Sequence, residues 1–169
     1  YEAFGQTEMS ATTTYMKHQD ALRKEGSVGL PLRMVSIRIV DHDMNDVPVN
    51  EVGEIVYRGP GMFKGYYNND SETEIAFEGG WFHSGDLVKR DEEGFIYVVD
   101  RKKDMIVSGG ENIYSAEVEN VLNSHPGIKE SAVIGVPDPK WGEAVKAYVV
   151  LNEGSKLSFE AIIKHCTAH

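Results

Sequence analysis

Along the first part of the chain, apolar and polar residues alternate with the period of a strand. Met34-Val35-Ser36-Ile37-Arg38-Ile39-Val40 alternates in this way, and Gly53-Glu54-Ile55-Val56-Tyr57-Arg58-Gly59 reads as a second strand. The polar segment from Asp41 to Asn50 reads as their connection. Leu87-Val88-Lys89 and Phe95-Ile96-Tyr97-Val98-Val99 flank Arg90-Asp91-Glu92-Glu93-Gly94, which predicts an antiparallel hairpin. Between these pairs, Ser71 is the expected cap of a short helix through Ala76, with Glu72 and Glu74 suited to its positive end.

The pattern changes after Asp100-Arg101-Lys102-Lys103-Asp104, a charged pentapeptide between two apolar runs. Met105-Ile106-Val107 predicts a short strand and Ser108-Gly109-Gly110 a tight loop. Ser115 is the expected cap of a helix that puts Val118, Val121 and Leu122 on one face. Ile134-Gly135-Val136 and Ala147-Tyr148-Val149-Val150-Leu151 read as strands. Ser158 opens a last helix, expected to pack through Phe159, Ile162 and Ile163. The expected fold class is mixed α/β (α+β) in two parts. Residues 1–99 form the first, 100–104 the connection and 105–169 the second.

Composition narrows the function. The net charge of -10 argues against sequence-independent binding to nucleic acid, though not against a nucleotide held by a few well-placed donors. No apolar run is long enough to span a bilayer. Cys166 is the single cysteine among 169 residues, so no internal disulfide forms; a reducing, cytoplasmic setting is expected. The chain opens on Tyr1-Glu2-Ala3-Phe4 and closes within an apparent helix, so a fragment is expected.

Candidate chemistry sits in four places. Asp41-His42-Asp43-Met44-Asn45 starts like a calcium loop, but Asp46 and Val52 stand where Gly and Glu belong, and a turn is the better reading. Phe4-Gly5-Gln6-Thr7-Glu8 offers a stacking face, a hydroxyl and a carboxylate, as a polyphosphate with a hard metal ion would need; a surface turn accounts for it too. In Trp81-Phe82-His83-Ser84-Gly85-Asp86-Leu87, Asp86 either accepts from the vicinal hydroxyls of a ribose or satisfies its own backbone. His83 has no evident partner acid and reads as a packed edge residue. Gly109-Gly110 permits close backbone approach to a ligand, or simply makes a turn.

Taken in order, these segments resemble the adenylate-forming superfamily, and most of all its AMP-forming fatty acyl-CoA synthetases. Gly53-Glu54-Ile55, Gly65-Tyr66-Tyr67, Glu117-Val118-Glu119, Pro137-Asp138 and Trp141-Gly142-Glu143 extend the match over essentially the whole chain. The resemblance implies the strand-rich end of the family's large domain followed by its small α+β lid. It implies ATP or AMP, Mg²⁺ and coenzyme A as ligands and a carboxylic acid as substrate. Phe4 would stack on adenine, Thr7 would meet the α-phosphate and Glu8 would ligate Mg²⁺. Asp86 and Arg101 would hold the ribose, Lys103 would be the hinge, and Ser108, Gly109 and Gly110 would line the pantetheine path. The family's phosphate loop would precede Tyr1 and its adenylation lysine would follow His169, so the polypeptide alone is expected to be inert. An adenylating enzyme with another acceptor, or a non-catalytic binding module, stays open, as do the acyl chain and the oligomeric state.

Overall fold

The computed structural model describes residues 2–169; Tyr1, the first residue of the expected first part, lies outside them. The chain divides into two units, Tyr1–Lys102 and Lys103–His169. Among the described residues there are three α-helices and three antiparallel sheets, the mixed class expected.

In the first unit three two-residue strands, β1 (Ala3–Phe4), β2 (Thr14–Tyr15) and β3 (Leu30–Pro31), pair side by side. The period-two segments follow as a four-stranded meander of β4 (Ser36–Val40), β5 (Gly53–Arg58), β6 (Phe82–Arg90) and β7 (Ile96–Arg101). Ile39, Ile55, Tyr57, Phe82, Val88 and Ile96 form its core with Met9 and Val47, each such side chain contributing about 1.5–3 kcal/mol by leaving water. In β5 every residue but Arg58 is buried, Glu54 included. The turn at Asp41 is an Asx turn, its Oδ1 accepting from the N–H groups of Asp43 and Asn45, each at 2.9 Å.

Two expectations shift here. Helix α1 (Asp70–Ala76) is capped by Asn69, whose Oδ1 accepts from Glu72 N at 3.3 Å. Ser71 lies inside the helix and its hydroxyl donates to that same Oδ1, because the polar loop supplies a cap two residues earlier. Strand β7 runs on through Asp100 and Arg101, since pairing with β6 continues to Asp86↔Arg101. Only Lys102 to Asp104 are turn.

The second unit contains β8 (Ile106–Ser108), β9 (Glu111–Ile113), α2 (Ser115–Asn123), β10 (Ile128–Asp138), β11 (Gly142–Leu151) and α3 (Phe159–Ala168). Its sheet order is β10-β11-β8-β9. Ile106, Leu122, Ile128 and Val133 make the core, with Val118, Ile162 and Cys166 packed against it. Ser115 is the first residue of α2 rather than its cap; Tyr114 occupies the cap position without a side-chain capping bond. Ser158 does cap α3, accepting from Ala161 N at 3.2 Å. That helix packs partly buried Ile162 and, one turn on, Cys166 against the core, so Phe159 turns away and is 73 % exposed, and Ile163 is exposed too.

Candidate functional site

The first unit gathers its chemistry where β5, β6 and β7 meet. Asp86 on β6 stands opposite Arg101 on β7, with Oδ1 3.6 Å from the guanidinium Nε. Asp86 is 7 % exposed. Burial pushes its pKa up, Arg101 pulls it back, and the carboxylates of Glu54 and Glu8 push it up again; the net direction is upward. Its backbone N–H donates to Ser84 Oγ at 2.9 Å, and that hydroxyl donates to the Ile55 carbonyl at 2.7 Å.

Glu54, 6 % exposed within β5, is the acid that the sequence reading missed as a site residue. Its Oε2 accepts from Lys102 Nζ at 2.9 Å and lies 3.1 Å from His83 Nδ1, while Oε1 accepts from Gly85 N at 3.0 Å. Burial alone would raise its pKa, but Lys102, His83 and the Gly85 N–H together outweigh burial and hold it below the ordinary carboxylate range. His83, expected to lack an acid, therefore has one; its other ring nitrogen is 3.2 Å from the Glu78 carbonyl. The signal was present in the sequence: an acid inside an apolar strand must find partners.

The Phe4-to-Glu8 motif lies in the same unit. The Phe4 carbonyl accepts from Thr13 N at 2.8 Å, and Thr13 Oγ1 lies 3.1 Å from that carbonyl oxygen and 3.4 Å from the Tyr57 hydroxyl. Burial, with a further push from Asp86, keeps the Tyr57 hydroxyl protonated. A side chain at Gly5 would overlap the Ala11 carbonyl, so only glycine lets the chain double back there. Thr7, exposed, and Glu8 lie on a 3₁₀ turn, Thr7–Met9, anchored by buried Met9. Glu8 Oε1 accepts from the Tyr66 hydroxyl at 3.1 Å, and its carbonyl accepts from Phe63 N at 2.8 Å. Glu8 is near enough to Asp86 for the two charges to interact.

The remaining candidates belong to the second unit, which begins at Lys103. Ser108 ends β8, and Gly109 and Gly110, at φ 62° and 91°, form the two-residue turn into β9. Gly109 N donates to the Trp141 carbonyl at 2.8 Å, and a side chain there would strike the Trp141 ring; one at Gly110 would meet open space.

No group of three or more His, Cys, Asp or Glu among the described residues could hold a metal ion by itself. No helix of the described residues is long and apolar enough to cross a membrane.

Comparison with known proteins follows the same division. The model of the AMP-binding enzyme family matches residues 1–67, and that of the AMP-binding enzyme C-terminal domain matches residues 117–169. A feruloyl-CoA synthase from an Amycolatopsis species is 44 % identical over 162 residues, 96 % of this chain and 33 % of that protein. The o-succinylbenzoate-CoA synthetase of Bacillus subtilis, solved with its acyl-adenylate intermediate, superposes with a TM-score of 0.90 at 41 % identity, over 99 % of this chain and 34 % of that one. The same enzyme solved with ATP and magnesium ion gives 0.87 at 40 % identity, with coverage of 99 % and 34 %. The chain thus spans about a third of the length of the relatives it matches.

Proposed function

The chain belongs to the AMP-binding enzyme family, and on that premise we propose that it serves in an acid–CoA ligase that works through an acyl-adenylate. In the reaction, a carboxylate oxygen attacks the α-phosphorus of ATP and pyrophosphate leaves. The thiolate of coenzyme A then attacks the acyl carbon and AMP leaves. Both steps rest on positioning and charge stabilisation, so no general base is assigned.

The observation that carries this reading is the convergence, at one end of the β5–β7 sheet, of a buried carboxylate with an arginine partner and a second carboxylate on an anchored turn. In the proposed roles Asp86 accepts from the two ribose hydroxyls, with Arg101 holding its charge in place. Phe4 stacks on the base and Thr7 donates to the α-phosphate. A lone carboxylate fits magnesium, which keeps waters and phosphate oxygens around one or two acidic side chains, and Glu8 would hold it. When bound, the ion supplies neutralisation of the phosphate charge. Lys103 is the proposed hinge residue, and the Ser108-Gly109-Gly110 turn the surface for the pantetheine arm. The ATP, magnesium ion and acyl-adenylate named in the relatives' structures support these ligands.

The test uses the full-length gene product. Acid-dependent exchange of pyrophosphate into ATP, together with CoA-dependent release of AMP, is the expected outcome. Exchange without CoA-dependent release would move the acceptor elsewhere, and nucleotide binding without exchange would make the protein a binding module. A panel of fatty and aromatic acids decides the acyl group, since the resemblance in sequence points to the first and the relatives' names to the second.

A further inference from the structure

The segment Ser84-Gly85-Asp86 is a bulge. On the β5 side the ladder jumps from Val56↔His83 to Glu54↔Leu87, and on the β7 side it breaks again between Leu87 and Val88. A bulge leaves peptide groups without ladder partners and re-aims the side chains that follow it. Here the two poles of one residue are held from opposite sides, the N–H by a side chain of β5 and the carbonyl by the backbone beyond β7. Gly85 N–H donates to Glu54 Oε1 at 3.0 Å, and the Gly85 carbonyl accepts from Lys102 N at 2.8 Å. Gly85 adopts φ 73°, a backbone state that glycine takes without strain, and it immediately precedes Asp86. The acid holding its N–H is itself fixed on its other oxygen by Lys102 Nζ and His83 Nδ1.

We infer that Glu54 is a positioning residue, its carboxylate setting through the Gly85 peptide the direction in which Asp86 presents its oxygens to a ribose. The inference rests on the ribose role proposed for Asp86. It adds a network around one buried acid, Lys102–Glu54–His83, whose effect should be read in the recognition of sugar hydroxyls and nowhere else in the nucleotide. A Glu54 that merely satisfied its own burial would change stability alone, or would weaken all nucleotides alike.

The discriminating measurement is calorimetric binding of ATP and of 2′,3′-dideoxy-ATP to the full-length gene product and to Glu54→Gln, Lys102→Ala and Asp86→Asn, with thermal melts as the folding check. The unaltered protein should prefer ATP by about tenfold or more, the contribution of at least one charge-assisted bond. Asp86→Asn should abolish most of that preference. Glu54→Gln, which conserves volume and removes the charge that Lys102 and His83 hold, should cut it to less than about threefold while dideoxy-ATP binding stays within about twofold. Lys102→Ala should lower the preference in the same direction by a smaller factor. A folded Glu54→Gln with full preference, or with equal loss of both nucleotides, overturns the inference. Should Glu54→Gln fail to fold, Lys102→Ala decides, since its exposed side chain can be removed while its backbone bond to Gly85 survives; full preference there overturns the inference as well. An unaltered protein with no preference, or an Asp86→Asn that keeps it, refutes instead the ribose role on which the inference stands.

Discussion

Replacing Asp86 with Asn should weaken ATP binding and strengthen the fold at the same time. The carboxylate is buried, its nearest cation is 3.6 Å away, and two further acids push its pKa up. Its ionised form is therefore held at a cost that a neutral side chain of the same shape does not bear. The pH dependence has a definite sign. Below the ordinary value of 3.8 the carboxyl is protonated in folded and unfolded chains alike, and Asp and Asn should be equally stable. As pH rises from there through the raised folded value, the unfolded chain ionises first and the aspartate form loses stability; the gap in favour of Asn should open across that window and persist at neutral pH. Arg101 is mostly exposed and loses little when its partner goes. Binding moves the other way. A carboxylate accepting from two hydroxyls contributes about 1.5–3 kcal/mol per bond, and Asn offers one neutral acceptor in their place. The loss of at least one such bond predicts ATP affinity lower by about 10- to 150-fold. Denaturant melts between pH 3 and 8 and calorimetric titration with ATP measure the two effects on one variant. An aspartate that only caps its own turn would give the reverse, a variant less stable with unchanged ATP affinity, and that result would refute the reasoning.

Proline at Lys103 fixes φ near -65° and removes an N–H, so in the full-length gene product it should depress CoA-dependent AMP release more than pyrophosphate exchange, whereas Lys103→Ala should be mild. Tyr66→Phe removes the hydroxyl that donates to Glu8 and should raise the magnesium concentration needed for half-maximal exchange by about 2- to 12-fold, the equivalent of one solvent-exposed hydrogen bond. Leu122→Ala opens the core of the second unit at a residue 1 % exposed and should cost about 3 kcal/mol. Hydrogen exchange should show faster opening of α2 and β10, and unaltered protection there would count against that core.

The strands of the first unit were legible because their apolar residues repeat at the period of a sheet and end in turn residues. Gly94, with Asp91 accepting from Glu93 N and Phe95 N at 2.9 Å each, closes the β6–β7 turn where it was expected. In the second unit β10 and β11 run far beyond their apolar centres. Lys129, Glu130, Pro137, Glu143 and Lys146 carry no strand preference, and it is the pairing of the two strands from Ile128↔Leu151 to Asp138↔Gly142 that holds those residues extended. Strand β9 has only Ile113 to announce it and exists because Gly109-Gly110 turns the chain back onto β8. Caps failed for a related reason: Ser71 and Ser115 are good capping residues, but Asn69 and the chain path at Tyr114 start the helices one or two residues earlier. At the site, Asp86 and Glu8 carry local signals, an acid after glycine and an acid after Thr in a glycine turn. Glu54 carries only the general signal of an acid inside an apolar strand, and its three donors, Gly85, His83 and Lys102, lie too far along the chain for a local pattern to name them.

Those donors also bear on where a hinge can begin. Two acids, Glu8 and Glu54, act on Asp86 at this end of the sheet. The cations that face Asp86 and Glu54 are consecutive residues, Arg101 at the end of β7 and Lys102 just after it. The strand that leads into the second unit thus also neutralises the first unit's site. Were rotation to start one residue earlier, Lys102 would swing with the moving part and leave Glu54, 6 % exposed, without its cation. Stripping a buried acid of its partner costs about 3–5 kcal/mol where both groups are buried, and somewhat less here because Lys102 is half exposed. The Gly85 carbonyl would lose its N–H donor in the same movement. On the proposed hinge, rotation at Lys103 would leave all of these bonds intact, with Lys102 the last fixed residue and the backbone angles of Lys103 the first to change.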